Sequence, residues 1–187
     1  MLLILFAGLC YRLLPSGLAG SWYNLMLVVS ESIVVIFVLI RRSTTNITAH
    51  PGQWMIAVGG TLAPTLVEGR GAPFWPEVGL ETMMAGTLLQ LGAKLSLRRS
   101  FGIVAADRGV RIGGPYGVIR HPMYLGYMIT HIGFFLSMPT LWNLAIYALA
   151  WALLLTRILQ EERLLMDNPD YRNYASRVRY RLVPGVF

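Results

Sequence analysis

Residues 123–155 read MYLGYMITHIGFFLSMPTLWNLAIYALAWALLL, without one Asp, Glu, Lys or Arg. Two apolar runs, 123–138 and 141–155, are parted only by Pro139 and Thr140. Each approaches the roughly 17–25 residues that a helix needs to cross a bilayer. So short a break between them predicts a tight helical hairpin.

The same pattern continues upstream. Residues 78–97 form another apolar run, with Lys94, Arg98 and Arg99 at its end. Residues 53–67 form a shorter one, in which Pro64 is placed to kink the helix. Residues 22–40 form a further run, stopped by Arg41 and Arg42. Residues 2–14 are too short to span alone. No basic residue precedes them and Arg12 interrupts them, so they read as a retained short helix and not as a signal peptide. The expected fold is an all-α integral membrane protein. It has about five transmembrane helices plus a short N-terminal helix, in a single domain over residues 1–187.

Composition agrees. Of the 187 residues, 55% are hydrophobic and 13% charged. Soluble domains carry about 25% charged residues, so there is too little charge here to cover a soluble surface of this size. Disorder is excluded by the same apolar content. The single cysteine, Cys10, excludes a disulfide scaffold, and no Cys/His cluster suggests a metal. The net charge of +7 raises the thought of nucleic acid, but the apolar content argues against it. Positive charge in a membrane protein marks the cytoplasmic face instead. With Arg41 and Arg42 placed inside, the remaining spans put 14 of the 16 basic residues on that side; Arg12 and Arg70 are the exceptions.

Two polar stretches, 98–121 and 160–187, then fall at the cytoplasmic face. The first runs into Gly114-Pro115-Tyr116-Gly117, then Arg120-His121-Pro122-Met123-Tyr124-Leu125-Gly126. Pro122 suits the first position of a helix. The free amides there, with Arg120 and His121 beside them, make a place for an anion. Tyr124 shares a helix face with His121. An interfacial belt of Arg, His and Tyr accounts for the same residues equally well. In the second stretch, Arg157 and Glu161 are four apart on one helix face, with Glu162 adjacent. They read either as a solvated salt bridge or as partners for a ligand's carboxylate and amine. Residues 169–180, with three tyrosines and three arginines, form an amphipathic segment suited to lie on the membrane or to close over a site.

Together these blocks resemble the isoprenylcysteine carboxyl methyltransferase family, whose wider group includes the phospholipid N-methyltransferases. The resemblance lies in Ser100-Phe101, Gly114 to Tyr116, Arg120 to Gly126, Glu161 to Leu165, Tyr171 and Tyr174, and Pro184. It covers residues 86–187; residues 1–85 add only apolar helices. It implies a membrane enzyme that transfers a methyl group from S-adenosylmethionine to a lipophilic acceptor at the cytoplasmic interface. The acceptor classes are a prenylcysteine carboxylate, a phospholipid amine, or a small hydrophobic thiol or acid. Carried over by position, Tyr116, His121, Pro122, Met123, Tyr124 and Glu161 would bind the cofactor. Backbone contacts would come from Arg108, Gly109, Val110, Arg111 and Ile112. Arg157 would lie near the acceptor, and Glu162 would assist an amine acceptor's deprotonation. The C-terminal segment would close the pocket. The chain departs from the family in a shorter link ahead of Gly114, and in Asn168-Pro169-Asp170 where the family has Phe-Gly.

Two other readings stand beside this one: a membrane reductase of the sterol-reductase group using NADPH, and a non-catalytic lipid-binding protein. Glu31, in mid-membrane on this map, is a functional candidate or a packing partner. His131 reads as a packed polar residue.

Overall fold

The computed structural model describes residues 51–69, 73–97, 100, 110 and 112–187, with residues 11, 32, 33, 35, 36, 39 and 40 upstream. Cys10, Arg12, Glu31, Arg41, Arg42, Arg70, Arg98 and Arg99 lie outside the described residues, as do Arg108, Gly109 and Arg111. The helices at residues 53–67, 78–97, 123–138 and 141–155 are all present as helical elements: α1 Pro51–Leu62, α2 Pro76–Leu97, α3 Pro122–Ser137 and α4 Leu141–Leu165. A shorter helix, α5 Pro169–Arg177, follows. No strand occurs among the described residues.

Local chemistry sets these bounds. α1 gives way to a 3-10 turn at Ala63–Leu66, where Pro64 has no amide to donate. Pro122 opens α3. Thr140 caps α4 by accepting the Asn143 amide at 3.1 Å. α4 does not stop where its apolar stretch stops at Leu155. The following residues, Thr156 to Leu165, are mostly strong helix formers, so the helix continues as a rigid polar extension.

α3 packs most extensively on α2 and less on its hairpin partner α4. The reason is a set of glycines spaced by seven: Gly79 and Gly86 on α2, Gly126 and Gly133 on α3. A Cβ on Gly126 would stand 2.8 Å from the Gly86 carbonyl oxygen and 2.9 Å from the Gln90 amide nitrogen. One on Gly133 would stand 2.6 Å from both the Gly79 oxygen and the Met83 nitrogen. The two antiparallel backbones are therefore in direct contact, as small-residue interfaces in membranes allow. Gln90 adds a hydrogen bond across it, donating to Thr130 Oγ1 at 2.9 Å. α1 packs on α4, with Gly59 and Gly60 against Leu153. α3 and α4 are tied by Trp151, which donates its indole N–H to His131 Nδ1 at 3.1 Å, while Tyr147 stacks on the same imidazole. His131 is thus a packed polar tie between helices.

At the α3–α4 turn, the fully buried Asn143 holds the chain that follows α1. It accepts the Glu68 amide at 2.9 Å and donates to the Glu68 and Met138 carbonyls, both at 3.0 Å. The opposite end of the bundle carries the polar motifs. Between the two ends, α4 leaves Leu144, Leu149, Leu155 and Leu159 exposed. Among the described residues, α4 alone is both long and apolar enough to cross a membrane.

Candidate active site at the polar end of the bundle

The wall of the site begins at the 3-10 turn Gly114–Gly117. Gly114 has φ +62°, and a Cβ there would meet Ser96 Oγ at 2.6 Å, so the turn both needs a glycine and lies against α2. It buries Tyr116, whose carbonyl accepts the Tyr174 hydroxyl at 2.8 Å. Burial pushes the Tyr174 hydroxyl up to about 12, and burial and then the Glu162 carboxylate raise that of Tyr171, so both remain donors. The chain next crosses to α3 through Val118 to His121. There the Arg120 amide donates to the Tyr180 carbonyl at 2.9 Å and the His121 amide to the Arg181 carbonyl at 2.8 Å. Residues 178–187 are thereby laid along the start of α3, with Leu182 seated in the same core cluster as Tyr116, Met123, Tyr124 and Ile158.

α4 faces this wall with two consecutive glutamates. Neighbours on a helix point about 100° apart, and the two make separate clusters. Glu161 accepts the Tyr124 hydroxyl at 2.7 Å. One turn earlier, Arg157 sets its guanidinium 5.2 Å from the centre of the Tyr124 ring. Tyr116 and Tyr127 are within electrostatic reach of this group. Both Arg157 and Glu161 are half-buried. The fully buried Lys94 sets its ammonium 5.7 Å from the Tyr127 ring.

Glu162 is buried and ringed by donors. Arg120 Nε lies 2.8 Å from Oε1, and its Nη2 donates to Oε2 at 3.2 Å. Arg181 Nε donates to Oε2 at 2.6 Å. His121 Nε2 is 3.1 Å and the Tyr171 hydroxyl 3.5 Å from Oε1. The anion expected beside Arg120 and His121 is thus supplied by the chain itself. α5 and the residue that follows it cover this cluster, with Tyr171, Tyr174, Ala175 and Val178 turned inward against Val110, Leu165 and Met166. Its apolar face is spent on the protein, and Arg172, Arg177 and Arg179 face outward.

Of the residues expected at a cofactor, the structure brings Tyr116, Tyr124 and Glu161 together with Arg157. Met123 and Pro122 are buried in the core beside them. His121 stacks on Tyr124 at 5.6 Å but gives a ring nitrogen to Glu162. Val110 packs on α5, and Ile112 is exposed. Sequence reasoning missed Arg181, Lys94 and Asn143.

Residues 78–172, about half of the chain, match the family model described as phospholipid methyltransferase. The chain belongs to the phospholipid methyltransferase family. The matched residues of this family member run from α2 into α5, and so include Tyr116, Tyr124, Arg157 and both glutamates but not Arg181. The solved structure of a eukaryotic intramembrane Ras methyltransferase, isoprenylcysteine carboxyl methyltransferase, is similar in fold. The TM-score is 0.58 at 20% sequence identity, over 88% of this chain. This chain spans 65% of the length of that one. No curated protein matches the sequence at a significant level.

Proposed function

We propose that the protein transfers a methyl group from S-adenosylmethionine to a lipophilic acceptor at the cytoplasmic membrane interface. The observation that carries this is the joining of the buried Tyr124 with the half-buried Glu161 and Arg157 on segments that match the family. The donor set fits the cofactor. A carboxylate suits an ammonium or ribose hydroxyls, a guanidinium suits a carboxylate, and tyrosine faces suit a base or a cation. When bound, S-adenosylmethionine supplies a methyl group already activated on a sulfonium.

The protein's work is then to orient and to exclude water. Glu161, fixed by the Tyr124 hydroxyl, holds the polar part of the cofactor. Tyr116, His121, Pro122, Met123 and Val110 shape the enclosing wall. Arg157 faces the acceptor. A carboxylate or thiolate acceptor attacks without a base, whereas an amine must first lose a proton.

Thermal stabilisation of the purified protein by S-adenosylhomocysteine, with NADPH as the control, tests this reading. Micromolar affinity, on the order of −8 kcal/mol, is expected for the former. Stabilisation by NADPH alone would favour a reductase. Glu161→Gln is expected to weaken S-adenosylhomocysteine binding about tenfold, because a charge-assisted contact in a dry site is worth roughly 1.5–3 kcal/mol. Arg157→Ala is expected to spare that affinity and lower turnover. Normal binding and turnover in both variants would reduce their contacts with Tyr124 to a structural role.

The arginine distribution supports five spans and a cytoplasmic site. Reporter fusions at Arg42, Gly71, Arg99, Pro139 and Phe187 are expected to alternate in, out, in, out, in. An external Phe187 would overturn the orientation.

A further inference from the structure

We infer that Glu162 is a positioning residue, which clamps the start of α3 and the 180–182 segment to α4 so that Tyr124 meets Glu161. The inference rests on the proposed role of Tyr124, Glu161 and Arg157. Its geometry is a two-point hold. Glu162 grips His121 and Arg120, just before the first turn of α3, while Glu161 grips Tyr124, inside that turn. Two contacts from adjacent α4 residues to positions three apart fix the rotation of α3 as well as its distance.

The third attachment comes from Arg181. Its side chain bonds Glu162, and its carbonyl bonds the His121 amide. Residues 181–187 then close on themselves, the Arg181 and Leu182 amides both donating to the Phe187 oxygen at 2.9 Å. The 178–187 segment is thus held to the α3 start by two backbone bonds and the buried Leu182, and to α4 by one ion pair.

Proton transfer is a poor use for this carboxylate. Both oxygens are engaged by guanidinium groups, at 2.6 and 2.8 Å, and protonation would break those pairs. A buried ion cluster is also a weak source of net stability compared with apolar packing; fixing register is its best-attested use.

Three variants test this: Glu162→Gln, Glu162→Asp and Arg181→Met. The last leaves Glu162 paired with Arg120, so no lone charge is buried, and the Arg181 side chain is 34% exposed. Amide hydrogen exchange needs no ligand and is read separately over residues 119–125 and 178–187 and over α2. Expected is a tenfold or greater rise in exchange over the first two segments in Glu162→Gln, with α2 unchanged. S-adenosylhomocysteine affinity should fall about tenfold alongside. Arg181→Met should show a smaller change of the same pattern, and Glu162→Asp partial rescue. Unchanged exchange in both Glu162→Gln and Arg181→Met overturns the clamp. Raised exchange with full affinity overturns positioning. If Glu162→Gln unfolds throughout, Arg181→Met decides between these outcomes. If the wild type binds no S-adenosylhomocysteine, the proposed function fails, and with it the positioning role. Exchange still shows whether the clamp holds α3.

Discussion

Gly126→Val is expected to destabilise the protein by more than the ~1–3 kcal/mol of an ordinary overpacked core. In most cores an added methyl meets the ends of side chains, which turn aside. Here the new Cβ meets the α2 backbone at 2.8 and 2.9 Å, as well as the Gln90 side chain. Backbone atoms inside a helix cannot yield without moving the helix, so α2 and α3 must part. Parting them also strains the Gln90–Thr130 hydrogen bond and the first turn of α3, which carries Tyr124 just before Gly126. Thermal unfolding in detergent measures the effect, with Gly92→Ala as the control. Gly92 lies on the facing helix α2, but a Cβ there has only Pro115 Cγ within reach, at 3.9 Å. That substitution should raise stability, by up to about 1 kcal/mol, since alanine is the better helix former. If Gly126→Val, or the matched Gly126→Ala, shifts the midpoint no more than Gly92→Ala does, the close approach of the two helices is wrong.

How far the sequence shows this arrangement depends on the distance over which each signal acts. Helix starts are local. Pro122 and Thr140 mark them, and the structure puts α3 and α4 where those residues predict. The end of α4 is less legible, because hydropathy reports where lipid ends and not where a helix ends. Polar helix formers carry α4 on to Leu165. The packing partner of α3 is hard to read for a related reason. A two-residue turn makes α4 the obvious neighbour, but the glycines at Gly79, Gly86, Gly126 and Gly133 favour α2, and they show it only once the two helices are aligned antiparallel. In the site, Tyr124, Arg157 and Glu161 were legible as same-face pairs. That Glu161 and Glu162 face different clusters follows from helix geometry, but which cluster each meets does not. Arg181 lies 19 residues from Glu162 and Asn143 lies 75 from Glu68, and no local spacing links either pair.

Asn143→Leu is the second large effect expected, and it separates stability from site chemistry. Leucine keeps the branched outline and heavy-atom count of asparagine but leaves the Glu68 amide, the Glu68 carbonyl and the Met138 carbonyl without their side-chain partner. Each of these part-buried bonds contributes about 0.5–1.5 kcal/mol, and this change removes three at once. Asn143→Asp tests whether the amide's donor matters or only its shape. It keeps an oxygen for the Glu68 amide and turns a second oxygen on two carbonyls, so it should destabilise at least as much. The turn that Asn143 holds is far from Glu161, roughly 27 Å along α4 at 1.5 Å per residue. Both variants should therefore lower the unfolding midpoint while the folded fraction keeps its S-adenosylhomocysteine affinity. Glu162→Gln should do the reverse, lowering affinity with α2 still protected. A loss of affinity in Asn143→Leu equal to that in Glu162→Gln would mean that α4 transmits disturbance along its length, and the two ends of the bundle would have to be treated as one cooperative unit.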